Sequence, residues 1–310
     1  LQRRLLARGL GPNIDIFMLD LAEQVRDLFP VLAGKTLLEM RESARMAKYR
    51  DDETEEIDVL LALYLSVIDR RFPEIRDSFE SVLDLVAVAS IADMMPIRDE
   101  NRTIVRRGLA RLNESPHPGL AALIREAGLT GRRPVSRDIG WTIAPLINAT
   151  GRMGTPSSAV RLLLSEDDAE RAALAQGVKE LNRQRRRAGD EAWRAVLPQA
   201  GDSMERLHNK LIAVHEPGMH RGVTGIIAGK LSRRYNLPAA VLTTVEDTAV
   251  GSVRSARGFV ATDFLSRFED IFERWGGHDE AAGFNLAVTS LDRFWERLES
   301  VAPEIALSDD

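Results

Sequence analysis

Lys210-Leu211-Ile212-Ala213-Val214, Ala239-Ala240-Val241-Leu242 and Ala249-Val250-Gly251-Ser252-Val253 are short apolar runs, the first two separated by a helical pattern over Gly222 to Tyr235. Such runs, bounded by polar or glycine positions, read as strands. Val223, Ile226, Ile227 and Leu231 recur at helical spacing and share one side. Ala281 to Val288 reads as a fourth strand, followed by a helix from Leu291. Ahead of that strand, Thr262 or Asp263 caps a predicted helix running to Trp275, with Phe264, Leu265, Phe268, Ile271 and Phe272 on its apolar side. Strands alternating with helices make the last third an α/β domain.

Toward the N-terminus the pattern becomes helical. Asp167 to Leu197 reads as one long charged helix, an arm between two lobes, and contains Leu181-Asn182-Arg183-Gln184-Arg185-Arg186-Arg187. A helical region begins around Trp141 and Ile143-Ala144-Pro145, is punctuated at Gly151 to Pro156, and resumes over Ser157 to Leu164. Pro116 to Ile139 reads as short helices and turns, and Asn101 to Leu112 as a basic helix. Leu83 to Ala92 is an apolar run compatible with a buried strand or a buried helical turn; it delivers Asp93 just before Met94-Met95-Pro96. Pro96 opposes any continuation of a helix through that point. Ile57 to Ile68 reads as a buried helix, and the polar Leu37 to Glu56 as a solvated insertion.

Composition sets outer bounds. The 310 residues can hold two domains, and 44% hydrophobic with 29% charged residues is ordinary for a globular protein. The absence of cysteine excludes disulfides, thiolate metal sites and a cysteine nucleophile. No apolar run approaches the roughly 18 residues of a membrane span. The N-terminus, Leu-Gln-Arg-Arg-Leu-Leu-Ala-Arg, has no signal-peptide pattern and reads as starting inside an amphipathic helix, as a fragment would. A net charge of −5 argues against indiscriminate nucleic-acid binding, yet the basic side chains are overwhelmingly arginine, whose planar fork suits phosphate. Arginine excess also follows from coding bias, so composition leaves the substrate open.

Several clusters carry chemistry, each beside an ordinary alternative. Gly276-Gly277-His278 is expected where a helix hands over to a strand. Paired glycines there permit close backbone approach to a ligand, or simply make a helix cap and turn. In Gly251-Ser252-Val253-Arg254-Ser255, strand alternation puts Arg254 and Ser252 on one face. Guanidinium and hydroxyl together suit phosphate, and solvated edge residues are the alternative. His215 and His220 flank a loop containing Pro217 and Gly218, which disfavours an independent zinc site, while Gly222 opens a helix whose N–H groups suit an anion. Asp93 is a hard oxygen donor at the end of a buried element, or a turn residue.

These segments together resemble the DHH/DHHA1 phosphoesterases, and within them the RecJ-type exonucleases. Ser90 to Ile97 with Glu100-Asn101-Arg102, Val105 and Gly108-Leu109 is similar to the family's ADxxPL–ENRxLVxxGL block. Ile143-Ala144-Pro145-Leu146-Ile147-Asn148-Ala149-Thr150-Gly151-Arg152-Met153-Gly154 resembles IAPRINAAGRMG, and Leu181 to Arg186 resembles LNxxRR. His220 to Ala228 looks like HxGVxGIVA, and Gly251 to Ser255 with Gly276 to Gly283 completes a DHHA1 signature. The resemblance implies an α/β fold: the C-terminal part of a DHH domain over 1–140 with a charged insertion at about 30–60, a connecting helical region over 141–200, and a DHHA1 domain with a central mixed sheet over 201–310.

The same resemblance implies a 5′→3′ single-stranded-DNA exonuclease of DNA repair and recombination, hydrolysing phosphodiesters with two Mn²⁺ or Mg²⁺ ions in the cytoplasm. Asp93 takes the place of a catalytic metal ligand. Asn148, Arg152, His220, Arg254, Ser255, Gly277 and His278 fall at nucleic-acid-binding positions. Single-stranded DNA is the implied partner, with single-strand-binding protein or a helicase beside it and no membrane. The DHH triplet and the Asp motifs that precede it in the family are absent, so most metal ligands, and activity of this stretch alone, are not expected. Leu146 replaces the family's arginine, Ala149-Thr150 replaces an alanine pair, and residues 30–80 carry no match. Two rival readings are a DHH enzyme for short oligonucleotides or cyclic dinucleotides, and a non-catalytic nucleic-acid-binding scaffold.

Overall fold

The computed structural model describes residues 20–43 and 56–309, with backbone alone for 41–43. Two compact units divide the chain, one within residues 1–82 and one within 83–310.

The first unit is helical: α1 (Leu21–Leu28), a 3₁₀ turn (Pro30–Leu32), α2 (Leu37–Ser43), α3 (Glu56–Arg71) and α4 (Pro73–Ser81). Asp20 caps α1 by accepting from the N–H groups of Ala22 and Glu23. The buried helix expected over 57–68 forms as α3, but among the residues of α3 only Val59 and Val67 are buried, while Ile57, Leu61 and Leu65 are exposed. Its packed neighbours α1, α2 and α4 do not enclose it. Of the expected solvated stretch 37–56, the start is helical as α2, and 44–55 lie outside the described residues.

The second unit begins with α5 (Leu83–Ala92) and α6 (Asp99–Glu114). The apolar run before Asp93 is therefore a helix rather than a strand. It packs so closely on α6 that a β-carbon at Gly108 would lie 2.3 Å from the Leu83 carbonyl oxygen. The Asp84 side chain is wholly buried there, accepting from the His117 N–H at 2.6 Å and lying 3.9 Å from the Arg111 guanidinium. Next come α7 (Pro118–Glu126), a π turn over Ile139–Ile143, α8 (Ala144–Arg152) and α9 (Ser157–Leu164). Their apolar sides form one core around Leu123, Ile139, Ile143, Leu162 and Val178.

Helix α10 (Asp168–Val196) spans 29 residues, about 43 Å at 1.5 Å per residue. Asp167 caps it by accepting from the Glu170 N–H at 2.6 Å. Val178 belongs to the helical core, whereas Ala192 and Val196 belong to a second core with Ile212, Val214, Ile227 and Val241. One helix thus ties the helical layer to the α/β domain, as the long charged arm predicts.

That domain contains α11 (Gln199–Arg206), β1 (Ile212–His215), a 3₁₀ turn (Arg221–Val223), α12 (Thr224–Tyr235), β2 (Ala239–Val245), β3 (Thr248–Arg254), α13 (Ala261–Ser266), β4 (Arg274–His278), β5 (Ala281–Ala287) and α14 (Leu291–Val301). The five strands run in the order β1-β2-β3-β5-β4; β1 and β2 are parallel and the other pairs antiparallel, so the sheet is mixed. One face packs on α10 and α12. The other meets α13 and α14 across a core of phenylalanines in which Phe268 and Phe294 are fully buried. At the β1 edge, the Ser203 hydroxyl donates to the Ala213 carbonyl at 2.8 Å and accepts its N–H at 2.7 Å, satisfying backbone groups an edge strand leaves open.

The expected helix from Thr262 to Trp275 ends at Ser266, with Val260 as its N-cap residue, and Arg274–His278 is an edge strand instead. Phe264, Leu265, Phe268 and Ile271 are buried as their pattern predicts, but from 267 onward they reach the core through turns. No helix among the described residues is long and apolar enough to cross a membrane.

Candidate nucleic-acid interface

The face of β3, β5 and β4 that lies on the α12 side of the sheet is set by register. Arg254 pairs with Ala281 and Ala281 with His278; Ser252 pairs with Gly283 and Gly283 with Gly276; Val250 pairs with Asn285 and Asn285 with Arg274. Directly paired residues share a face, so glycine and alanine form a floor rimmed by Arg254, His278 and Arg274. The Gly276 to Gly283 motif is a hairpin, joined at its tip by Asp279 and Glu280. Gly277 has φ of +150°, and a β-carbon there would meet the Ala281 carbonyl oxygen at 2.5 Å, so a side chain is excluded. The tip is held by hydrogen bonds from the Ser255 N–H to the Glu280 carbonyl (2.9 Å) and from the Ala261 N–H to the Asp279 carbonyl (2.8 Å).

The opposite wall is the start of α12. Thr224 Oγ1 and Ser252 Oγ are 2.9 Å apart, joining α12 to β3. A β-carbon at Gly225 would lie 2.6 Å from an Arg254 guanidinium nitrogen, so the guanidinium lies over the first helical turn. Arg221, Thr224, Ser252, Arg274, Gly283 and Asn285 line an open groove of about 340 Å³. His220 caps the 3₁₀ turn, its Nδ1 accepting from the Gly222 N–H at 3.1 Å. That bond leaves Nε2 as the protonated nitrogen of the neutral ring.

Helix α8 reaches the same place from the helical layer. A β-carbon at Gly222 would lie 1.9 Å from the Arg152 carbonyl oxygen, and the Arg152 guanidinium donates to the Gly222 carbonyl at 3.4 Å. Burial lowers the pKa of the Arg152 side chain from its ordinary value. The Arg254 pKa is lowered by burial and then by the charge of Arg152, and that of Arg185 by burial and then by Arg152 and Arg186, with Asp190 opposing. The three guanidiniums therefore converge from α8, α10 and β3. No carboxylate contributes to the shifts of Arg152 or Arg254. Asn182, buried in α10, accepts from Arg185 Nε at 3.1 Å and fixes its direction. Cations that repel one another, two of them with no carboxylate beside them, make a site for an anion.

Of the residues singled out from sequence, Arg152, His220, Arg254 and His278 gather on this side of the sheet, whereas Gly277 pairs with Ala282 and faces the phenylalanine core, so it shapes the hairpin without lining the groove. Asn148 is exposed on α8, one helical turn before Arg152. The Ser255 hydroxyl turns away and donates to the Phe259 carbonyl, while Ser252 shares the face with Arg254. Arg185, Arg221, Thr224, Arg274 and Asn285 are additions that only the fold brings together. Asp93 is exposed and closes α5: the Met94 N–H donates to Ile91 and the Met95 N–H to Ser90, with Met94 left-handed at φ +53°. This Schellman-type ending presents the carboxylate at the negative end of the helix dipole, where a cation would be favoured. Among the described residues no group of three or more His, Cys, Asp or Glu side chains could hold a metal ion. Asp93 can offer one oxygen, but two hard divalent ions need many more.

Residues 208–304 match the DHHA1 domain. The single-stranded-DNA-specific exonuclease RecJ of Bacillus subtilis is 36% identical over 237 residues, covering 74% of this chain and 29% of that protein. RecJ of Thermus thermophilus is also 36% identical, over 73% of this chain and 33% of its own length. This chain is RecJ-like. Its fold is similar to the crystal structure of Thermus thermophilus RecJ with Mg²⁺ (TM-score 0.67, 31% identity, 85% of this chain and 40% of that one). A structure of exonuclease RecJ bound to manganese gives a TM-score of 0.65 at 32% identity, over 83% of this chain and 63% of that one. The RecJ-like chain thus spans roughly a third of the length of these two relatives, as the 29% and 33% figures state.

Proposed function

We propose that this chain is the substrate-gripping part of a single-stranded-DNA exonuclease, and that the arginine-lined groove holds the strand by its phosphates. The meeting of the Arg152 and Arg254 guanidiniums at the turn that opens α12, the first at Gly222 and the second over Gly225, is the observation that carries the reading. Arg152 and Arg254 take a terminal phosphate, with Ser252, Thr224 and the first turn of α12 supplying neutral donors. The glycine and alanine floor lets the backbone of the strand approach the sheet, while His278 and Arg274 bind along the rim. Asn148 extends the contact along α8, and Ser255 holds the end of β3 through its backbone. His220 fixes the turn that carries Gly222.

In this reading the divisions 1–140, 141–200 and 201–310 are part of a DHH domain, its connector and the DHHA1 domain. Phosphodiester hydrolysis belongs to the whole protein, with Mn²⁺ or Mg²⁺ and Asp93 as one ligand; the described residues do not assemble a two-metal donor set. A 5′→3′ direction and a place in cytoplasmic DNA repair and recombination follow from the likeness to RecJ. A single-strand-binding protein or a helicase that delivers unwound strand is the partner class this activity calls for.

The test is competition. Fluorescence anisotropy with a labelled single strand should show displacement by unlabelled single strands and poor displacement by cyclic dinucleotide or duplex. Preferential displacement by a cyclic or linear dinucleotide would transfer the groove to a small-nucleotide phosphodiesterase.

A further inference from the structure

Trp141 is 77% exposed. The indole of Trp193 lies under Lys230, that of Trp295 under Arg206, and Trp275 packs on the phenylalanine core. No ring or cation contact covers Trp141 among the described residues. Its exposure is built in: Ile139 and Ile143, the two ends of the π turn, are fully buried, and the wider turn throws the residue between them outward. The position is also specific. Gly140 abuts the Ile91 side chain, with 3.6 Å from its β-position to Cγ2, so Trp141 adjoins the end of α5 that carries Asp93. Along the following helix Asn148, Gly151 and Arg152 are exposed while Ile143, Ala144, Leu146, Ala149 and Thr150 are buried. Trp141 and Arg152 thus stand at the two ends of one solvent-facing strip, about 16 Å apart along the axis. Arg137, one turn before Trp141, is exposed as well.

An indole at the end of a strip that starts in a phosphate cleft suits one ligand chemistry. From this we infer that Trp141 is a stacking platform for a nucleobase of the single strand whose phosphates occupy Arg152 and Arg254. Every base has a π face, so such a platform grips any sequence. This assignment rests on the phosphate reading of the groove and adds a base contact near Asp93.

Binding of the chain to a single strand, read by anisotropy, tests it with an abasic nucleotide moved stepwise along the oligonucleotide. Trp141→Ala should weaken binding about 5- to 150-fold, the range of a base–aromatic stack, while Trp141→Phe keeps most of the affinity. One abasic position should cost the parent protein a similar factor and cost Trp141→Ala nothing. Loss of binding in Trp141→Ala with no such silent position would overturn the base contact in favour of another role for the ring. Full binding by Trp141→Ala alongside loss in Arg254→Ala would overturn this inference and leave the phosphate cleft standing. Full binding by both variants would overturn the cleft as well.

Discussion

Gly222 and Arg152 meet backbone to backbone: the Arg152 carbonyl oxygen occupies the space a side chain at Gly222 would need, 1.9 Å from where its β-carbon would be. The contact joins the last turn of α8 to the turn that opens α12, and so brings a guanidinium of the helical layer to the DHHA1 sheet. Because the obstacle is backbone, rotamer change cannot relieve it.

Gly222→Ala therefore separates α8 from α12. The expected result is destabilisation of more than 1 kcal/mol together with weaker single-strand binding, read by thermal melting and anisotropy. Gly151→Ala is the control, because no atom lies within 4 Å of a β-carbon at that position. Equal behaviour of the two variants would count against the contact.

Asp84 illustrates what a linear reading misses. It stands among apolar residues in α5 and is wholly buried, yet the His117 N–H and Arg111 converge on it from beyond α6 and within it. Replacing it with alanine strands buried donors and should destabilise the second unit by about 3 kcal/mol, measured by urea unfolding. A loss under 1 kcal/mol would show the network to be dispensable.

Much of the domain was legible because its signals are local. Alternation placed Ser252 and Arg254 on one face of β3, and Asp167 with the charged run after it marked the long helix. β4 was not legible. Arg274-Trp275-Gly276-Gly277-His278 has no β-branched residue and two glycines, and only pairing with β5 makes it a strand. Phe264, Phe268 and Phe272 mimic a continuous helix by their spacing, while their rings are gathered by turns. For the groove, sequence could point to Arg254 and Arg152, but Arg185, Arg221 and Arg274 are three among many arginines until the sheet and α10 bring them together. Asn182, three residues before Arg185, was the local signal available for the first of these.

Phe268 packs against three other rings, those of Phe264, Phe272 and Phe294, and is fully buried. Phe268→Ala should cost about 3–5 kcal/mol and lower the melting temperature without changing the salt dependence of DNA binding in the folded protein. A change in that dependence would tie the core to the groove in a way its position does not predict.

His215 gives a pH signature. Burial, opposed by Glu216, lowers its pKa from 6.5, and its Nε2 lies 2.9 Å from Thr244 Oγ1. Above 6.5 both folded and unfolded states carry the neutral ring. As pH falls below that value the unfolded state takes up the proton first, so stability declines. Melting temperature should fall between pH 7.5 and 5.5, and less so in His215→Gln. An identical decline in the variant would assign the effect to other groups.

The central claim is that Arg152 and Arg254 hold phosphate, and the salt dependence of single-strand binding measures it most directly. The slope of log affinity against log salt should be shallower by about 0.7 in Arg254→Ala, one phosphate contact, and likewise in Arg152→Ala. Lysine at position 254 should restore the slope better than the affinity, because it keeps the charge and loses the fork. Slopes unchanged from the parent protein in both alanine variants would contradict the account.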